Sequence, residues 1–450
     1  MEQITHDFVD DVRDLLQRER TGLIQNLLID LHPVDTAELL EDLSPDERRK
    51  VFELISDELV GAVVREVEQH KRKDLLDQLA PHRIIPIVSQ LNSDDAADVI
   101  AELPTSLAEG VFRLMEAEEA VELRKLLEYP DDSAGGIMAT EVMSIRQELT
   151  AREAIDEIRR RSAEIGEFYQ IYVVDDAGRL AGTIPLHTLV AADPDRKVAD
   201  VVERGVMAVR TDTDQEEVAA LVSKYDLVSI AVVDAFGRLV GRITIDDIVD
   251  VIEEEATEDI HRMAGTSENE VAEESVVRIS GLRLPWLVVG LGGGLLSAYV
   301  ISRYEVSFKE LLVLAFFVPV IAAMAGNVAV QSSAIVIRAL ATGELEVAEI
   351  WKQLVKEVGV ALINGAVCGV ILFAVTSFWQ DSYRLGIVVS VSLAAVVLVA
   401  STMGATVPFA LKRFNVDPAL ATGPFVTTSN DVIGLYIYLQ IATLCLSWLK

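Results

Sequence analysis

The chain has 450 residues and a formal net charge of −33, from 39 Lys and Arg against 72 Asp and Glu. The charge is unevenly spread: ten Lys/Arg and nine Asp/Glu lie from Gly281 onward, which leaves 29 basic and 63 acidic residues before it. A first part this acidic repels nucleic acid and anionic surfaces and attracts cations, which excludes nucleic acid as a partner. Cys368 and Cys445 both sit in apolar stretches, so no disulfide framework or thiolate metal site is indicated. The start, MEQITHDFVDDVRDLL, has no apolar leader, and the soluble part is expected in the cytosol. No nucleophile–base pair, P-loop or zinc motif stands out, so an enzyme is not expected.

Residues 1–130 read as an all-α superhelical domain. Apolar residues recur at helical spacing, punctuated by Pro and Asp. A helix–Pro turn–helix pattern repeats from Glu38, Asp74 and Asp98, with Leu43, Leu79 and Leu103 in equivalent places, as are Val51, Ile87 and Val111. Irregular spacing makes this a loose helical solenoid, a form suited to docking or regulation.

Residues 131–252 change to alternating strand and helix, in two copies over about 131–200 and 201–252. Each has a VVD strand run, a turn at Gly178 or Gly237, a second strand and a helix. The tandem resembles a pair of cystathionine-β-synthase (CBS) domains. In that family a Gly, two hydrophobics, Thr, two residues, Asp pattern contacts the ribose of adenine nucleotides. Gly241, Thr244 and Asp247 resemble it, with Arg242 departing from the hydrophobic preference, whereas the first copy has Pro185 for Thr and Thr188 for Asp.

An acidic connecting segment follows over 253–280. With the end of the second copy it holds Asp246, Asp247, Asp250, Glu253, Glu254, Glu255, Glu258 and Asp259, and Asp214, Glu216 and Asp226 precede it. Like charges four apart destabilise a helix, so the cluster calls for solvation or bound cations, and carboxylates with water suit Mg²⁺. At low Mg²⁺ the acidic lobes repel; at millimolar Mg²⁺ the ions bridge them and favour a compact closed state. The candidates for this regulatory Mg²⁺ are Asp94, Asp95, Asp214, Glu216, Asp226, Asp247, Asp250, Glu255, Glu258, Asp259 and Asp417.

Residues 281–450 form a transmembrane domain with five expected spans: Leu284–Ile301, Leu311–Ile337, Val355–Trp379, Leu385–Leu411 and Ala419–Leu449. Basic residues number seven on the cytosolic flanks and four on the outer ones, as the positive-inside rule asks. Gly292–Gly294 permits close helix contact, and Pro319 and Gly326 are expected to bend or open the second span near Asn327. In the last span Asp431 stands beside oxygen-bearing Thr427 and Asn430, with Gly423, Thr427 and Asp431 four apart on one helix face. An intramembrane carboxylate faces a cavity, a partner or a cation, and this oxygen set suits a hard cation. The expected ion path is therefore lined by Asp431, Asn430, Thr427, Gly423, Asn327, Gly326 and Pro319. Five spans enclose a pore poorly alone, so a twofold homodimer in the lipid bilayer is expected. A proton-coupled carrier, or a membrane-anchored nucleotide sensor, is the alternative reading.

The whole chain resembles the MgtE family of bacterial magnesium channels and transporters. The resemblance rests on DDSAGGIM from Asp131, TDTDQEEVA from Thr211, EATEDIH from Glu255, FFVP…GN…QS from Phe316, VDPAL from Val416 and GP…ND from Gly423. It implies a homodimeric Mg²⁺ pore in the bacterial cytoplasmic (inner) membrane, with Asp431 as the ion-selecting acid. Cytosolic Mg²⁺ between the soluble domains and the connecting "plug" helix would hold the pore closed. Two departures stand out. The second-span motif GN-TG-Q here runs from Gly326 to Gln331 with Val328, Ala329 and Val330 inside, and Gln170, His187, Thr188 and Leu227 replace the nucleotide-cleft pattern, which argues against ATP or AMP as a regulator.

Overall fold

The computed structural model describes residues 6–77, 79–165, 168, 170–266, 270, 275–305, 312–341, 345, 350–414, 416–421 and 423–449. Lys309 and Lys450 of the expected outer flanks, Leu311 and most of the polar stretch before Ser275 lie outside them. The chain divides into two compact units, Met1–Val251 and Ile252–Lys450.

Ten helices, α1 to α10, run from His6 to Leu126. Proline starts several of them: Pro33, Pro45 and Pro81 stand in first turns, where the missing N–H costs nothing. Ser44 and Glu47 close a capping box, the Ser44 N–H and hydroxyl donating to Glu47 at 3.1 and 2.7 Å. The repeat read from sequence has a packing cause. Val51, Ile87 and Val111 are buried in one core, and Leu43 and Leu103 are buried where a helix ends before the next one starts. Each side chain of this kind contributes about 1.5–3 kcal/mol by leaving water.

The first αβ copy has β1 (Ser144–Arg146), α11 (Ala151–Ile165), β2 (Ile171–Val174), β3 (Leu180–Ile184) and α12 (Leu186–Ala191). The second has β4 (Ala208–Arg210), α13 (Gln215–Lys224), β5 (Ser229–Val233), β6 (Leu239–Thr244) and α14 (Ile245–Ala264). In each sheet the middle strand pairs in parallel with the first and antiparallel with the last. Gly178 and Gly237 make the turns at φ +76° and +77°, a region that L side chains rarely adopt. The copies meet reciprocally: Leu180 N–H donates to the Gly237 carbonyl and Leu239 N–H to the Gly178 carbonyl, both at 3.0 Å. Tyr172, fully buried between them, shares a hydrogen bond of 3.1 Å with Ser229.

The acidic segment differs from its expected extent. Nothing breaks the helix between Ile252 and Glu253, so α14 runs on from the second copy for 20 residues. It stops where Gly265 takes φ +70°, and the Gly265 and Thr266 N–H groups return to the Arg262 and His261 carbonyls.

The second unit continues with α15 (Val276–Arg303), α16 (Val318–Ala341), α17 (Ile350–Trp379), α18 (Tyr383–Arg413), α19 (Pro424–Leu444) and the short α20 (Leu446–Leu449). Among the described residues four helical stretches are long and apolar enough to cross a membrane: Val276–Arg303, Leu312–Leu340, Ile350–Gln380 and Tyr383–Arg413. The fifth expected span is helical in α19 but is not among these four, and it carries the polar run Thr427–Asp431 near its start. Helix α18 is the hub, packed against α16, α17 and α19, and small residues set the spacing. A side chain on Gly404 would run into the Ala329 backbone of α16, and one on Gly365 would meet Ala394 at 3.3 Å. Of the glycine run Gly292–Gly294 in α15 only Gly293 makes a close contact, against Thr428 of α19; Gly292 and Gly294 face open space.

Candidate functional site

Asp431 lies one turn beyond Thr427 on α19 and is half-buried. It looks at Gly326 of α16: a methyl group there would stand 3.9 Å from the Asp431 Oδ1. The absence of a side chain on Gly326 therefore leaves room beside the carboxylate. Thr427 donates its hydroxyl to the Gly423 carbonyl at 3.2 Å, closing the first turn of α19. Asn430 is 2% exposed and gives its amide to the Val426 carbonyl at 2.9 Å, which ties that group to its own helix. Asn327 is exposed on the next position of α16 from Gly326.

Pro319 differs from expectation. It is the second residue of α16, after a 3-10 turn over Leu312–Phe317, and α16 continues unbroken through Gly326 to Ala341. In a first turn Pro has no hydrogen bond to remove, so the span is not opened in its middle.

The acids expected to hold regulatory Mg²⁺ fall into separate groups. In the first unit Asp94, at the start of α8 (Ser93–Glu102), is 8% exposed, and its Oδ1 accepts the Asp95 N–H at 2.9 Å. Burial, with Asp247 and Asp95 close by, holds its carboxyl well above the ordinary range. Burial likewise pushes Asp95 up to about 6, opposed by Arg65, whose guanidinium lies 3.9 Å away. Asp247 is raised by burial, even though it accepts the Thr244 N–H and hydroxyl at 3.0 and 2.6 Å. Asp250 is exposed on the same helix, and its carboxyl too is raised, with Asp247 contributing. Nearby, Glu141 clasps α8 by accepting the Ser93 N–H at 3.1 Å and the Ser93 hydroxyl at 2.9 Å.

The other candidates have separate local roles. Asp214 caps α13 by accepting the Glu216 N–H at 2.9 Å, so it and Glu216 share one helix start. Asp226 sits exposed in a left-handed turn, φ +52°, after α13. In the second unit Arg262 of α14 pairs with both Glu258 and Asp417, and Asp417 also accepts the Ala419 N–H at 2.7 Å. The structure joins these two acids through a guanidinium. Glu255 and Asp259 are half-buried on the same helix. The end of α14 comes close to the start of α19: a side chain on Gly423 would meet the Arg262 carbonyl at 3.5 Å. Among the described residues no three His, Cys, Asp or Glu side chains converge closely enough to hold a metal ion.

The nucleotide pattern has its own local use. Asp247 and Thr244 bond each other at the start of α14, and Gly241 lets β6 run against Met138 and Ala139, where a side chain would collide at 2.7–2.9 Å.

Among the basic and acidic residues that escaped the sequence reading are Arg65, Glu141, Arg262 and Glu357. Glu357 lies on α17, 5% exposed, and accepts hydrogen bonds from Ser332 of α16 and Ser401 of α18 at 2.9 and 3.0 Å. Its signal in the sequence is an acid beside Lys356 at the edge of an expected span, weaker than the mid-span position that singled out Asp431.

Comparison with known proteins gives three family matches. A model described as a divalent cation transporter, MgtE, covers residues 318–441. The MgtE intracellular N domain covers 31–132, and CBS domains cover 134–195 and 198–254. The chain is similar to the magnesium transporter MgtE of Thermus thermophilus, 36% identical over 440 residues, 97% of this chain and 98% of that protein. It is similar to the magnesium transporter MgtE of Bacillus subtilis, 32% identical over 95% of each chain. Among solved structures it resembles the cytosolic domain of the Mg²⁺ channel MgtE in complex with ATP, with 34% identity and a TM-score of 0.51, covering 54% of this chain and 99% of that one.

Proposed function

This chain belongs to the MgtE family of magnesium transporters, and from that premise we propose that it is a Mg²⁺ channel whose ion path runs past Asp431 and whose closed state is stabilised by Mg²⁺ on the cytosolic side. The observation that carries the reading is the pairing of an intramembrane carboxylate with a glycine: Asp431 faces Gly326 with no side chain between them. Mg²⁺ keeps most of its water and is held through one or two carboxylates, so room beside Asp431 matters as much as its charge. In this reading α19 crosses the membrane as a fifth span, and two chains related by a twofold axis line one path.

Closure rests on the acid group of the first unit. Burial raises the proton affinities of Asp94, Asp95 and Asp247, the charge of Asp247 adds to this at the other two, and Arg65 and Arg72 are the nearby bases. A divalent ion supplies two positive charges to that group and favours the state in which the acids are together. Full switching between open and closed needs about 5.5 kcal/mol of differential binding, which several weak Mg²⁺ contacts supply together. The test is Mg²⁺ flux in liposomes, with internal Mg²⁺ varied on the side of the soluble domains. Flux lost in Asp431→Ala and suppressed by internal Mg²⁺ in the wild type is expected. Full flux in Asp431→Ala returns that carboxylate to a structural role.

A second reading concerns the CBS pair. The solved relative at 34% identity is an ATP complex, which favours adenine-nucleotide binding here despite the departures at Gln170, His187, Thr188 and Leu227. Calorimetric titration of the full chain with ATP and AMP decides it, and absence of heat with both removes the nucleotide.

A further inference from the structure

We propose that the cavity beside Glu357 is a second divalent-cation station in the membrane unit, separate from Asp431. The proposal rests on the divalent-cation cargo of the family and is independent of the path assigned to Asp431. Helix α17 presents Gln353, Glu357 and Asn364 at helical spacing along one side, and all three border a cavity of about 150 Å³. The far walls come from α16, with Gln331 and Ser332, and from α18, with Ser401. Asp431 lies on α19 and is not among the lining residues. Gly326 and Ser332 are six residues apart on α16, so the two carboxylates meet that helix about 9 Å apart along its axis.

The carboxylate is buried and its charge is uncompensated by its hydrogen bonds. Among the described residues its partners are Ser332, Ser401 and Gln353, at 2.9, 3.0 and 3.3 Å, and all are neutral. Burying an ionised carboxylate costs several kcal/mol, and neutral donors offset only part of that. A cation in the adjoining cavity supplies the missing charge. A cavity of this size has room for several waters, which suits an ion that stays largely hydrated. Carboxylate, hydroxyl and amide oxygens form a hard donor set, suited to Mg²⁺ or Mn²⁺ and unsuited to soft metals. Lys356 stands exposed at the rim, and its positive charge weakens the site. Weak occupancy is what a transported ion requires, because a station that holds too tightly blocks flow.

The rival explanation is a pin, in which Glu357 only ties α16, α17 and α18 together. Glu357→Gln separates the two, because the amide oxygen still accepts from Ser332 and Ser401 while the charge is gone. The experiment titrates full-length protein in lipid nanodiscs with Mn²⁺ into the millimolar range and reads free Mn²⁺ by electron paramagnetic resonance. Wild type and E357Q are compared, each also in a D431N background, so that sites in the soluble unit cancel. The expected result is one bound Mn²⁺ fewer per chain in E357Q in both backgrounds, with a melting temperature close to wild type. An unchanged count overturns the proposal. N364L is the second variant, since it crowds the cavity and leaves the Glu357 hydrogen bonds in place. It is expected to lose the same Mn²⁺, and an unchanged count there overturns the proposal equally. A D431N protein that still conducts would instead overturn the Asp431 path and leave the count at Glu357 unaffected.

Discussion

The two units keep their carboxylates in opposite company. In the first, Asp94, Asp95 and Asp247 are buried near one another, with Arg65 and Arg72 opposing, and burial raises their proton affinities. In the second, the two acids described within its long apolar helices and α19 stand apart from one another: Glu357 with Ser332 and Ser401, and Asp431 opposite a bare glycine. Crowded acids respond to the concentration of counter-ions around them, because their repulsion falls only when positive charge arrives. Solitary acids hold a fixed charge at a fixed place, which is what a path needs. On the proposed function, the difference separates sensing from conduction within one chain.

The comparison breaks first at Asp431. If it is the fixed charge of the path, Asp431→Ala lowers Mg²⁺ flux by about 100-fold, roughly 2.7 kcal/mol in a barrier, as measured in liposomes. Gly326→Val keeps the charge and fills the space in front of it. An approximately tenfold loss of flux, with the helical circular dichroism of the wild type retained, is the outcome that supports room as a separate requirement.

The sensing side is sharpened by Arg65→Ala. Removing this base leaves the acid group more negative, and the internal Mg²⁺ needed for half closure should fall about threefold, or roughly 0.6 kcal/mol of extra attraction at a partly screened site. A midpoint that rises would mean Arg65 does more to hold the helical domain in place than to oppose Mg²⁺. The pH dependence carries a definite sign. The Asp95 carboxyl is raised from its ordinary value to about 6 in the folded arrangement. Folded protein therefore binds more protons than unfolded, and the arrangement gains stability as pH falls through 6 towards 4 and loses it as pH rises. Protection of residues around α8 from proteolysis, in the absence of Mg²⁺, should be greater at pH 5.5 than at pH 7.5. In thermal unfolding Tyr438→Phe is expected to cost about 1 kcal/mol, because its hydroxyl donates to the Leu314 carbonyl at 2.7 Å in the core of the second unit.

Much of this was legible because some residues admit few conformations. Gly178 and Gly237, each two residues before a strand, marked the same positive-φ turn in both copies. Val51, Ile87 and Val111 marked the repeat because each fills the same core. Asp431 stood out because nothing else in its span is charged. Other features depend on tertiary neighbours that spacing does not disclose. Pro319 reads as a helix breaker until the preceding 3-10 turn puts it at a helix start. Arg262 reads as one more charge on an acidic helix, and its bond to Asp417 spans 155 positions. Glu357 lies beside Lys356 at the edge of an apolar stretch, where an interfacial ion pair is the ordinary interpretation, and only the serines of two other helices show that it faces inward.

The continuity of α14 has a mechanical consequence. Its 20 residues contain neither Gly nor Pro, from the end of β6 to the positive-φ Gly265. A helix of that length is a rod of about 30 Å. Tilting one end of such a rod by 10° sweeps the other through about 5 Å. Small angular play at the start of this helix thus becomes, at its Gly265 end, a stroke comparable to a helical turn.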